Sequence, residues 1–307
     1  MTVIEMATRF ERVTSEPCNS VWIVAGRPTS TDECIVGALR ARGVSAAIVP
    51  GPGLGERTRA GDTVLGRLDV RRTLDGVEAG LWELRQAERS GKRLLNRASS
   101  LVACHDKLTT AQALDACDLP QPVTTHLLPG APVPELVFPV VVKPRFGSWG
   151  KEVAACSSPR ELVRYLEQLA TRDWFRRQGV LVQELIPPLG FDLRVIVADG
   201  RVIGAIHRVA AAGDWRTNIA LGGTREPADP SPDAGALAVA AAAAVGADLA
   251  GVDLLPVPGG GFVVLEINGA VDFTHEYALA GQDPFETVAD MIEAAASTSD
   301  DTVELAE

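Results

Sequence analysis

The 307-residue sequence predicts a mixed α/β fold, with an α/β N-terminal region followed by α+β segments. Three observations predict this class. The first hundred residues contain a strand–helix–strand unit, two later pairs of strands are joined by short glycine-containing turns, and a long helical segment separates these pairs. At roughly 150 residues per domain, the length corresponds to two domains or one large one, which is ample for a hydrophobic core.

The first hundred residues are predicted to form a small α/β domain. Residues 21–25 and 46–49 are short apolar runs that predict strands, and residues 32–42 between them carry apolar positions at helical spacing. Gly43 follows this helix as a stop signal. Residues 76–91 are predicted to form a further helix, which completes the domain.

Beyond residue 100, predicted helices and strands alternate. Ser158-Pro159 opens one helix, because proline is favoured in the first helical turn, and Asp199-Gly200 is a strong signal for a two-residue hairpin turn. The predicted helices span 106–116, 158–169, 232–249 and 286–295, and the predicted strands span 137–144, 151–155, 180–185, 192–198, 202–208, 252–257 and 262–267. Residues 298–307 are predicted to be an acidic, disordered tail.

Composition and charge exclude several classes of protein. With 29 basic and 40 acidic residues, the net charge is −11, which argues against nucleic acid as a partner. The five cysteines are odd in number and show no C-x-x-C spacing, so neither a disulfide framework nor a zinc knuckle is indicated. Residues 1–14 lack the apolar segment of a signal peptide, and no apolar run is long enough to span a membrane. A cytoplasmic protein is therefore expected.

The last predicted hairpin brings two carboxylates together. If its turn is the four residues 258–261, counting back along both strands puts Leu255 opposite Val264 and Asp253 opposite Glu266. Carboxylates that are directly opposed on neighbouring strands repel each other, and both lie in apolar sequence. Burying them without a partner is costly.

A divalent cation between these strands would remove that cost. Asn268 lies two residues beyond Glu266 and therefore on the same face of the strand, and the oxygens of Asp253, Glu266 and Asn268 are of the kind that Mg²⁺ prefers. The alternative is that both carboxylates point to solvent on the polar face of the hairpin. A register slip of one residue would also remove the opposition.

Two lysines are candidates for phosphate binding. Lys143 ends a β-branched strand just before a loop bounded by Gly147 and Gly150, in which backbone N–H groups can approach phosphate oxygens. The alternative is an ordinary turn with an exposed lysine, in which Trp149 only packs. Lys107 follows Asp106 at the start of a helix, where the alternative is a solvated lysine.

Arginines offer further anion-binding candidates. Arg194 alternates within an apolar strand and needs an anionic partner there. Arg208, Arg216 and Arg225 lie around the Gly222-Gly223 turn and form either an anion pocket or surface ion pairs, which are weak. Residues 183–186 end a strand, where the backbone can hydrogen-bond the edge of a flat heterocycle or simply terminate the strand.

Taken in order, these segments resemble the ATP-grasp superfamily, specifically its RimK-like branch of carboxylate–amine ligases. The resemblance covers nearly the whole chain, from about residue 21 to 295. The matching segments are 106–110 (DKLTT), 141–144 (VVKP), 147–150 (GSWG), 183–186 (QELI), 190–194 (GFDLR), 214–218 (DWRTN), 222–223 (GG), 251–255 (GVDLL) and 266–268 (EIN). Within the branch, residues 147–150 and 268–273 (NGAVDF) are most similar to the LysX-type ligases.

This resemblance implies an ATP-grasp fold that is preceded by a Rossmann-like pre-ATP-grasp domain. The implied domains are the N-terminal domain over 1–97, the central or lid subdomain over 98–179 and the C-terminal catalytic subdomain over 180–297, with the tail at 298–307. Such ligases use ATP and one or two Mg²⁺ ions, with Mn²⁺ as an alternative. They join an amine to a carboxylate that has been activated as an acyl phosphate.

The resemblance also implies a role for each site residue. Phosphate contacts are expected from Lys107 and Lys143, under a closing loop formed by Gly147, Ser148, Trp149 and Gly150. Adenosine contacts are expected from Gln183, Glu184, Leu185, Ile186 and, for the ribose, Asp192. Arg216 and Asn218 are expected to face the phosphates, and Arg194 and Arg216 to be catalytic. The metal ligands are expected to be Asp253, Glu266 and Asn268.

Two departures from the family pattern concern the substrate side. RimK-like ligases usually carry arginine before the Gly-Gly turn, where this chain has Leu221, and often a second arginine after Arg208, where it has Val209. Arg67, Asp69 and Arg71 of the first domain are candidate substrate contacts. An acidic carrier protein would be repelled by the net charge, so a local basic surface around Arg57, Arg59, Arg67, Arg71 and Arg72 is expected if such a carrier binds.

The implied partners are an amino-acid substrate and a carboxylate acceptor, with a small acidic carrier protein as the LysX-type acceptor. Families of this kind are often homodimers or homotetramers. Three alternatives stay open: a RimK-type glutamate ligase, an amino-acid ligase of small-molecule or peptide biosynthesis, and an ATP-binding protein that has the fold but no ligase activity.

Overall fold

The computed structural model describes residues 19–297, which form three sheets with α-helices packed against them. The predictions for residues 1–14 and for the tail at 298–307 fall outside the described residues. Among the described residues, no helix combines the length and apolar character needed to cross a membrane.

The first sheet is parallel and has the order β2-β1-β3-β4. Its strands are β1 (Val21–Val24), β2 (Ala46–Val49), β3 (Thr63–Gly66) and β4 (Arg93–Leu95), and its helices are α1 (Ser30–Ala41), α2 (Leu54–Arg57) and α3 (Leu81–Arg89). The predicted strand–helix–strand unit is confirmed. The helix predicted over 76–91 begins only at Leu81, because Gly76 and Gly80 have φ angles of +149° and +131°, outside the helical region.

The second sheet is antiparallel and has the order β5-β8-β6-β7. Its strands are β5 (Thr124–Leu127), β6 (Val140–Pro144), β7 (Ala154–Cys156) and β8 (Val180–Glu184), and the helices of this part of the chain are α4 (Ala98–His105), α5 (Lys107–Asp115), α6 (Pro159–Leu169) and α7 (Asp173–Gln178). The Ser158 hydroxyl caps α6 by accepting from the N–H of Glu161. Since β8 pairs with β5 and β6, it belongs to this sheet; the domain limits stay a prediction.

The third sheet is antiparallel and has the order β11-β10-β9-β12-β13. Its strands are β9 (Phe191–Ala198), β10 (Arg201–Val209), β11 (Thr224–Pro227), β12 (Leu249–Pro256) and β13 (Phe262–Asn268), and its helices are α8 (Pro232–Ala244) and α9 (Pro284–Ser297). The alanines of α8 pack in a buried cluster with Val195, Val197 and Val252. This helix ends earlier than predicted, just before Gly246 at φ +65°.

The register predicted for the β12–β13 hairpin is confirmed at the carboxylates but is wrong nearer the turn. Asp253 lies opposite Glu266, as predicted, but Leu255 lies opposite Val263 rather than Val264. The turn has five residues, 257–261, closed by a hydrogen bond from Val257 N to Gly261 O (3.1 Å). A β-bulge at Leu265 inserts one extra residue into β13 and so compensates for the longer turn.

A buried asparagine joins the first sheet to the third. Asn96 follows β4, is fully buried and has a φ of +50°. Its Nδ2 donates to Leu249 O (2.7 Å) and Gly269 O (2.9 Å), while its Oδ1 accepts from the N–H groups of Asp248 (2.9 Å) and Leu249 (3.0 Å). One side chain therefore satisfies four backbone groups at the start of β12 and after β13.

We expect Asn96→Ala to lower the free energy of unfolding by about 3 kcal/mol, because it leaves buried backbone donors and acceptors without partners. Urea unfolding followed by circular dichroism measures the change. The control is Gln168→Ala at an exposed position of α6, which should stay within about 0.5 kcal/mol of the wild type. Equal stability of both variants would contradict the structural role of Asn96.

Candidate active site

A cleft of about 290 Å³ opens between the second and third sheets. Its walls come from β6, the loop that follows it, the end of β8, the face of β9, β12 and β13, and the turn at residues 215–220. Every residue that the sequence predicted for nucleotide binding, metal binding or catalysis lines this cleft. The structure thus brings them together, while the role of each stays a prediction.

Strand register places a charged network on the floor of the cleft. On the central strand β9, Asp192 lies opposite Arg208 of β10, and Arg194 lies opposite Asp253 of β12. Asp192 and Arg194 are two residues apart and therefore share a face. Asp253 in turn lies opposite Glu266 of β13, so the network runs across four strands.

Asp253 is the centre of this network. It is buried, and its carboxylate accepts from Arg194 Nε (2.7 Å), Arg194 Nη2 (2.8 Å) and Arg208 Nη2 (2.7 Å). Burial alone would raise the pKa of this carboxyl group, but the two guanidinium groups hold its pKa below the ordinary value. Asp253 is therefore ionised throughout the neutral range, and Arg194 has the anionic partner that its position requires.

Asp192 lines the cleft, but its carboxylate is occupied by contacts within the network. Its carboxylate is fully buried and accepts from Arg208 Nε (2.7 Å), Arg208 Nη2 (2.5 Å) and the hydroxyl of Thr217. Ribose binding by Asp192 stays a prediction. The contacts that the structure shows make it the residue that holds Arg208 in place.

Lys107 connects three parts of the cleft. It is the first residue of α5, and its Nζ donates to Gly147 O (2.6 Å) and to Glu266 Oε1 (3.0 Å). Asp106 caps the same helix and is held by Arg145, whose Nε donates to Asp106 Oδ1 (2.8 Å). The helix start is thereby fixed against the strand end that carries Lys143.

Lys143 is a buried cation without a partner. It is 6% exposed, and within residues 19–297 its ammonium group makes no hydrogen bond or ion pair. Burial, together with repulsion from Lys107, lowers its pKa to about 7. A phosphate group in the cleft would supply the missing counter-charge, so the donor set fits a nucleotide.

The glycine-bounded loop over 147–150 is held from two sides. Trp149 and Gly150 have φ angles of +61° and +66°, and a Cβ at Gly150 would lie 2.9 Å from Asn218 Oδ1, so glycine is required there. The Trp149 ring lies 5.2 Å from Lys151 Nζ and 5.6 Å from the guanidinium carbon of Arg27. Arg27 was missed by sequence reasoning, since nothing local marks a residue 122 positions from its partner.

The backbone of residues 183–186, which is predicted to bind the edge of adenine, already uses some of its N–H groups in hydrogen bonds within the protein. The N–H of Glu184 donates to Val123 O (3.0 Å), and the N–H of Leu185 donates to Pro139 O (3.2 Å). An adenine bound by residues 183–186 would therefore rely on other backbone atoms, such as carbonyl oxygens.

The predicted metal ligands are oxygens of a suitable kind, but each carboxylate already has a cationic partner. Both oxygens of Asp253 accept from Arg194 and Arg208, so the expectation that the opposed carboxylates lack compensation is wrong. Glu266 uses only Oε1 in its contact with Lys107, and Asn268 Oδ1 accepts from the N–H of Ala270 (2.9 Å). The predicted ligand set consists of the carboxylates of Asp253 and Glu266 and the side-chain amide of Asn268. In the described part of the chain, no three His, Cys, Asp or Glu side chains cluster as a metal site. Two carboxylates and an amide fit a hard divalent cation.

The expected substrate contacts of the first domain divide into three cases. Asp69 lines the cleft, and burial raises its pKa to about 6. Arg71 is exposed and donates to Val77 O away from the cleft. The expectation that Arg67 contributes to a basic surface is wrong, because Arg67 is 3% exposed and is bonded to Asp32 and to Val271 O.

Arg216 lines the cleft, whereas the two sequence departures, Leu221 and Val209, lie outside its lining. Arg216 forms an ion pair with Asp214 (2.9 Å). Leu221 ends the short 3₁₀ helix over Ile219–Leu221, and its Cδ1 packs close to Gly150. Val209 lies opposite Thr224 at the start of β11.

Comparisons with known proteins agree with this geometry. A family model described as RimK-like ATP-grasp domain matches residues 130–292. The probable alpha-L-glutamate ligase of Aeromonas salmonicida (strain A449) is 31% identical over 249 residues, covering 79% of this chain and 80% of that protein. The alpha-aminoadipate–LysW ligase LysX of Sulfurisphaera tokodaii is 29% identical over 185 residues, covering 59% of this chain and 65% of that protein.

A solved structure shows the same fold. The RimK domain ATP-grasp protein from Sphaerobacter thermophilus superposes with a TM-score of 0.67 at 22% identity, covering 89% of this chain and 99% of that one. The family model and the relatives show that the protein is an ATP-dependent carbon–nitrogen ligase. The chain belongs to the RimK-like ATP-grasp family of carboxylate–amine ligases.

Lys143→Met tests the unpaired lysine. In nucleotide-free protein with a chelator present, we expect the free energy of unfolding to rise by roughly 2–4 kcal/mol at pH 6, since an uncompensated buried charge is removed. The lowered pKa means that the wild-type penalty is full below about pH 7 and disappears as the pH rises towards 10.5, so the advantage of the variant should shrink over that range.

The same variant should bind ATP at least tenfold more weakly. Thermal unfolding between pH 6 and 9.5 and calorimetric titration with ATP measure the two effects. Lys92→Met at a partly exposed position is the matched control and should change neither. A variant that is destabilised at pH 6, or that binds ATP normally, would show that Lys143 has a different role.

Proposed function

We propose that the protein is an ATP- and Mg²⁺-dependent ligase that attaches a free amino acid to the C-terminal glutamate of an amino-group carrier protein, as LysX-type ligases do. The observation that carries the ligase chemistry is the unpaired Lys143 in a cleft whose floor holds the opposed Asp253 and Glu266. The relative named for ligation of alpha-aminoadipate to LysW supports the carrier.

Different residues of the cleft have different roles in the proposed reaction. Lys107 and Lys143 bind the ATP phosphates, with the loop over 147–150 above them, and Arg194 and Arg216 face the transferring group. Mg²⁺ held by Asp253, Glu266 and Asn268 would neutralise phosphate charge. The contribution of the protein is positioning and charge compensation, because phosphoryl transfer requires little covalent chemistry from side chains.

Amide formation then follows in two steps. An oxygen of the substrate carboxylate attacks the γ-phosphorus, the bond to the β–γ bridging oxygen breaks, and ADP leaves. The amine attacks the carbonyl carbon of the acyl phosphate, phosphate departs, and the amine nitrogen loses a proton. Arg194 lies beside this carbonyl in the proposal and stabilises the oxygen charge that develops.

A second candidate is a glutamate ligase that extends a protein or cofactor carboxylate. The probable alpha-L-glutamate ligase at 31% identity favours it. An amino-acid ligase of small-molecule or peptide biosynthesis is a third, and a non-catalytic ATP-binding protein is the candidate from another class. Mass spectrometry after incubation with ATP, Mg²⁺, a panel of amino acids and carboxylate acceptors distinguishes them, because each ligation adds one amino acid minus water to a different acceptor.

We expect Glu266→Gln to lower the rate of amide formation at least a hundredfold, because it removes a metal-ligand charge with little change of shape. The wild type should lose activity with a chelator and regain it with Mg²⁺. Glu276→Gln, an exposed acid outside the cleft, is the control and should keep full activity. Full ATP-dependent ligation by Glu266→Gln would refute the metal assignment.

The carrier proposal has a test of its own. The exposed Arg57, Arg59, Arg71 and Arg72 would attract an acidic carrier against the net charge of −11, so carrier binding should weaken as salt is raised from 0.05 to 0.3 M. Arg71→Glu/Arg72→Glu should weaken it further at low salt, while the KM for ATP stays unchanged. Binding that is insensitive to both changes would argue for another acceptor.

A further inference from the structure

Among the basic side chains that line the cleft, Arg225 has no role in the proposed reaction. Lys107, Arg194, Arg208 and Arg216 each hold a carboxylate, and Lys151 contacts the Trp149 ring. Within the described residues, the side chains of Lys143 and Arg225 make no hydrogen bond or ion pair. The reaction requires Lys143 for phosphate, which leaves Arg225 as an exposed guanidinium at the wall of the cleft.

Strand register gives Arg225 a defined position. It lies on the edge strand β11, directly opposite Arg208 of β10, so the two side chains project from the same face of the sheet. Like charges placed directly opposite each other are destabilising. Arg208 is compensated by Asp192 and Asp253, whereas the charge of Arg225 is not compensated by any described side chain.

The missing anion is not the phosphate of ATP. Three strand spacings separate β11 from β12, and Arg225 is aligned with Asp192, two residues along β9 from the Arg194 that faces Asp253. The backbone of Arg225 therefore lies about 16 Å from that of Asp253. Both side chains project from the same face of the sheet, and Asp192, Arg194 and Arg208, which lie between them, line the cleft. This part of the cleft is the space for a molecule of amino-acid size. The anion therefore belongs to the substrate that lies between the phosphate centre and the edge of the sheet.

A free amino acid carries such an anion in every case, because its α-carboxylate takes no part when its amine attacks an acyl phosphate. An arginine fork recognises a carboxylate by two parallel hydrogen bonds. We propose that Arg225 is a specificity-determining residue that binds the α-carboxylate of the free amino-acid substrate and so orients its amine towards the activated carbonyl. This inference rests on the proposed ligase function.

The test compares amino acids with their α-carboxamides. The wild type is first assayed with ATP, Mg²⁺, carboxylate acceptors and a panel of free amino acids that includes L-glutamate and L-2-aminoadipate. The most active amino acid and its α-carboxamide are then used with the wild type, Arg225→Ala and Arg225→Lys. Arg201→Ala, at an exposed arginine of the neighbouring strand β10, is the matched control.

We expect Arg225→Ala to raise the KM for the amino acid at least tenfold, with kcat within about twofold and the KM for ATP unchanged. The α-carboxamide should be a poor substrate of the wild type and should lose nothing further in the variant, since the contact is already absent. Arg225→Lys should recover part of the affinity, and Arg201→Ala should behave as the wild type.

The outcomes separate this inference from the proposed function. A wild type that binds ATP but forms no amide with any amino acid refutes the proposed function, and this inference with it. An active wild type whose amino-acid KM is unchanged in Arg225→Ala refutes the inference alone. A loss that is equally large for the amino acid and its α-carboxamide would also refute it, since Arg225 would then act on something other than the α-carboxylate.

Discussion

The pairing of two arginines with two aspartates in the middle of the third sheet is the constraint on which the rest of the site depends. Arg194, Arg208, Asp192 and Asp253 are joined by hydrogen bonds of 2.5–2.8 Å; Arg208, Asp192 and Asp253 are buried, and Arg194 is half-buried. Loss of one member would leave a buried charge unpaired, which is strongly destabilising. A slip of one residue in β9 would turn both of its charged side chains to the opposite face, so the network also fixes the register of the strands around it.

The β-bulge at Leu265 extends this fixed register to β13. Nearer the turn the pairing places Val264 opposite Leu254, and continuing it without interruption would put Leu265 opposite Asp253. The extra residue instead brings Glu266 to that position, and Asn268 follows on the same face. Glu266 and Asn268 therefore lie on one face of β13, with Glu266 opposite Asp253, because the β-bulge is combined with a network that fixes the register of the neighbouring strands.

The sequence predicted features that depend on local pattern or on ordered motifs. The strand–helix–strand start, the Ser158 cap and the opposition of Asp253 and Glu266 are of this kind, although the opposition was reached with a turn one residue too short and no bulge. The edge strand Thr224–Pro227 was missed because all four of its residues are exposed, so it has no apolar alternation. Arg27 and the buried Arg67 were missed or misplaced because their partners are far away in the sequence.

The contact of Arg27 with Trp149 connects the first sheet to the glycine-bounded loop at the cleft. Arg27 Nε donates to Glu78 Oε1 (2.5 Å), and Arg27 Nη2 donates to Val70 O (2.7 Å). The guanidinium group that contacts the Trp149 ring is therefore fixed by residues of the N-terminal domain. Glu78 Oε2 also accepts from the N–H of Asp69 (3.1 Å), and Asp69 lines the cleft. The loop over 147–150 and the carboxylate of Asp69, a predicted substrate contact, thus share one hydrogen-bonded support. The carboxylate of Glu78 therefore positions both Asp69 and the guanidinium group against which Trp149 packs, so one side chain of the N-terminal domain orders two parts of the cleft wall.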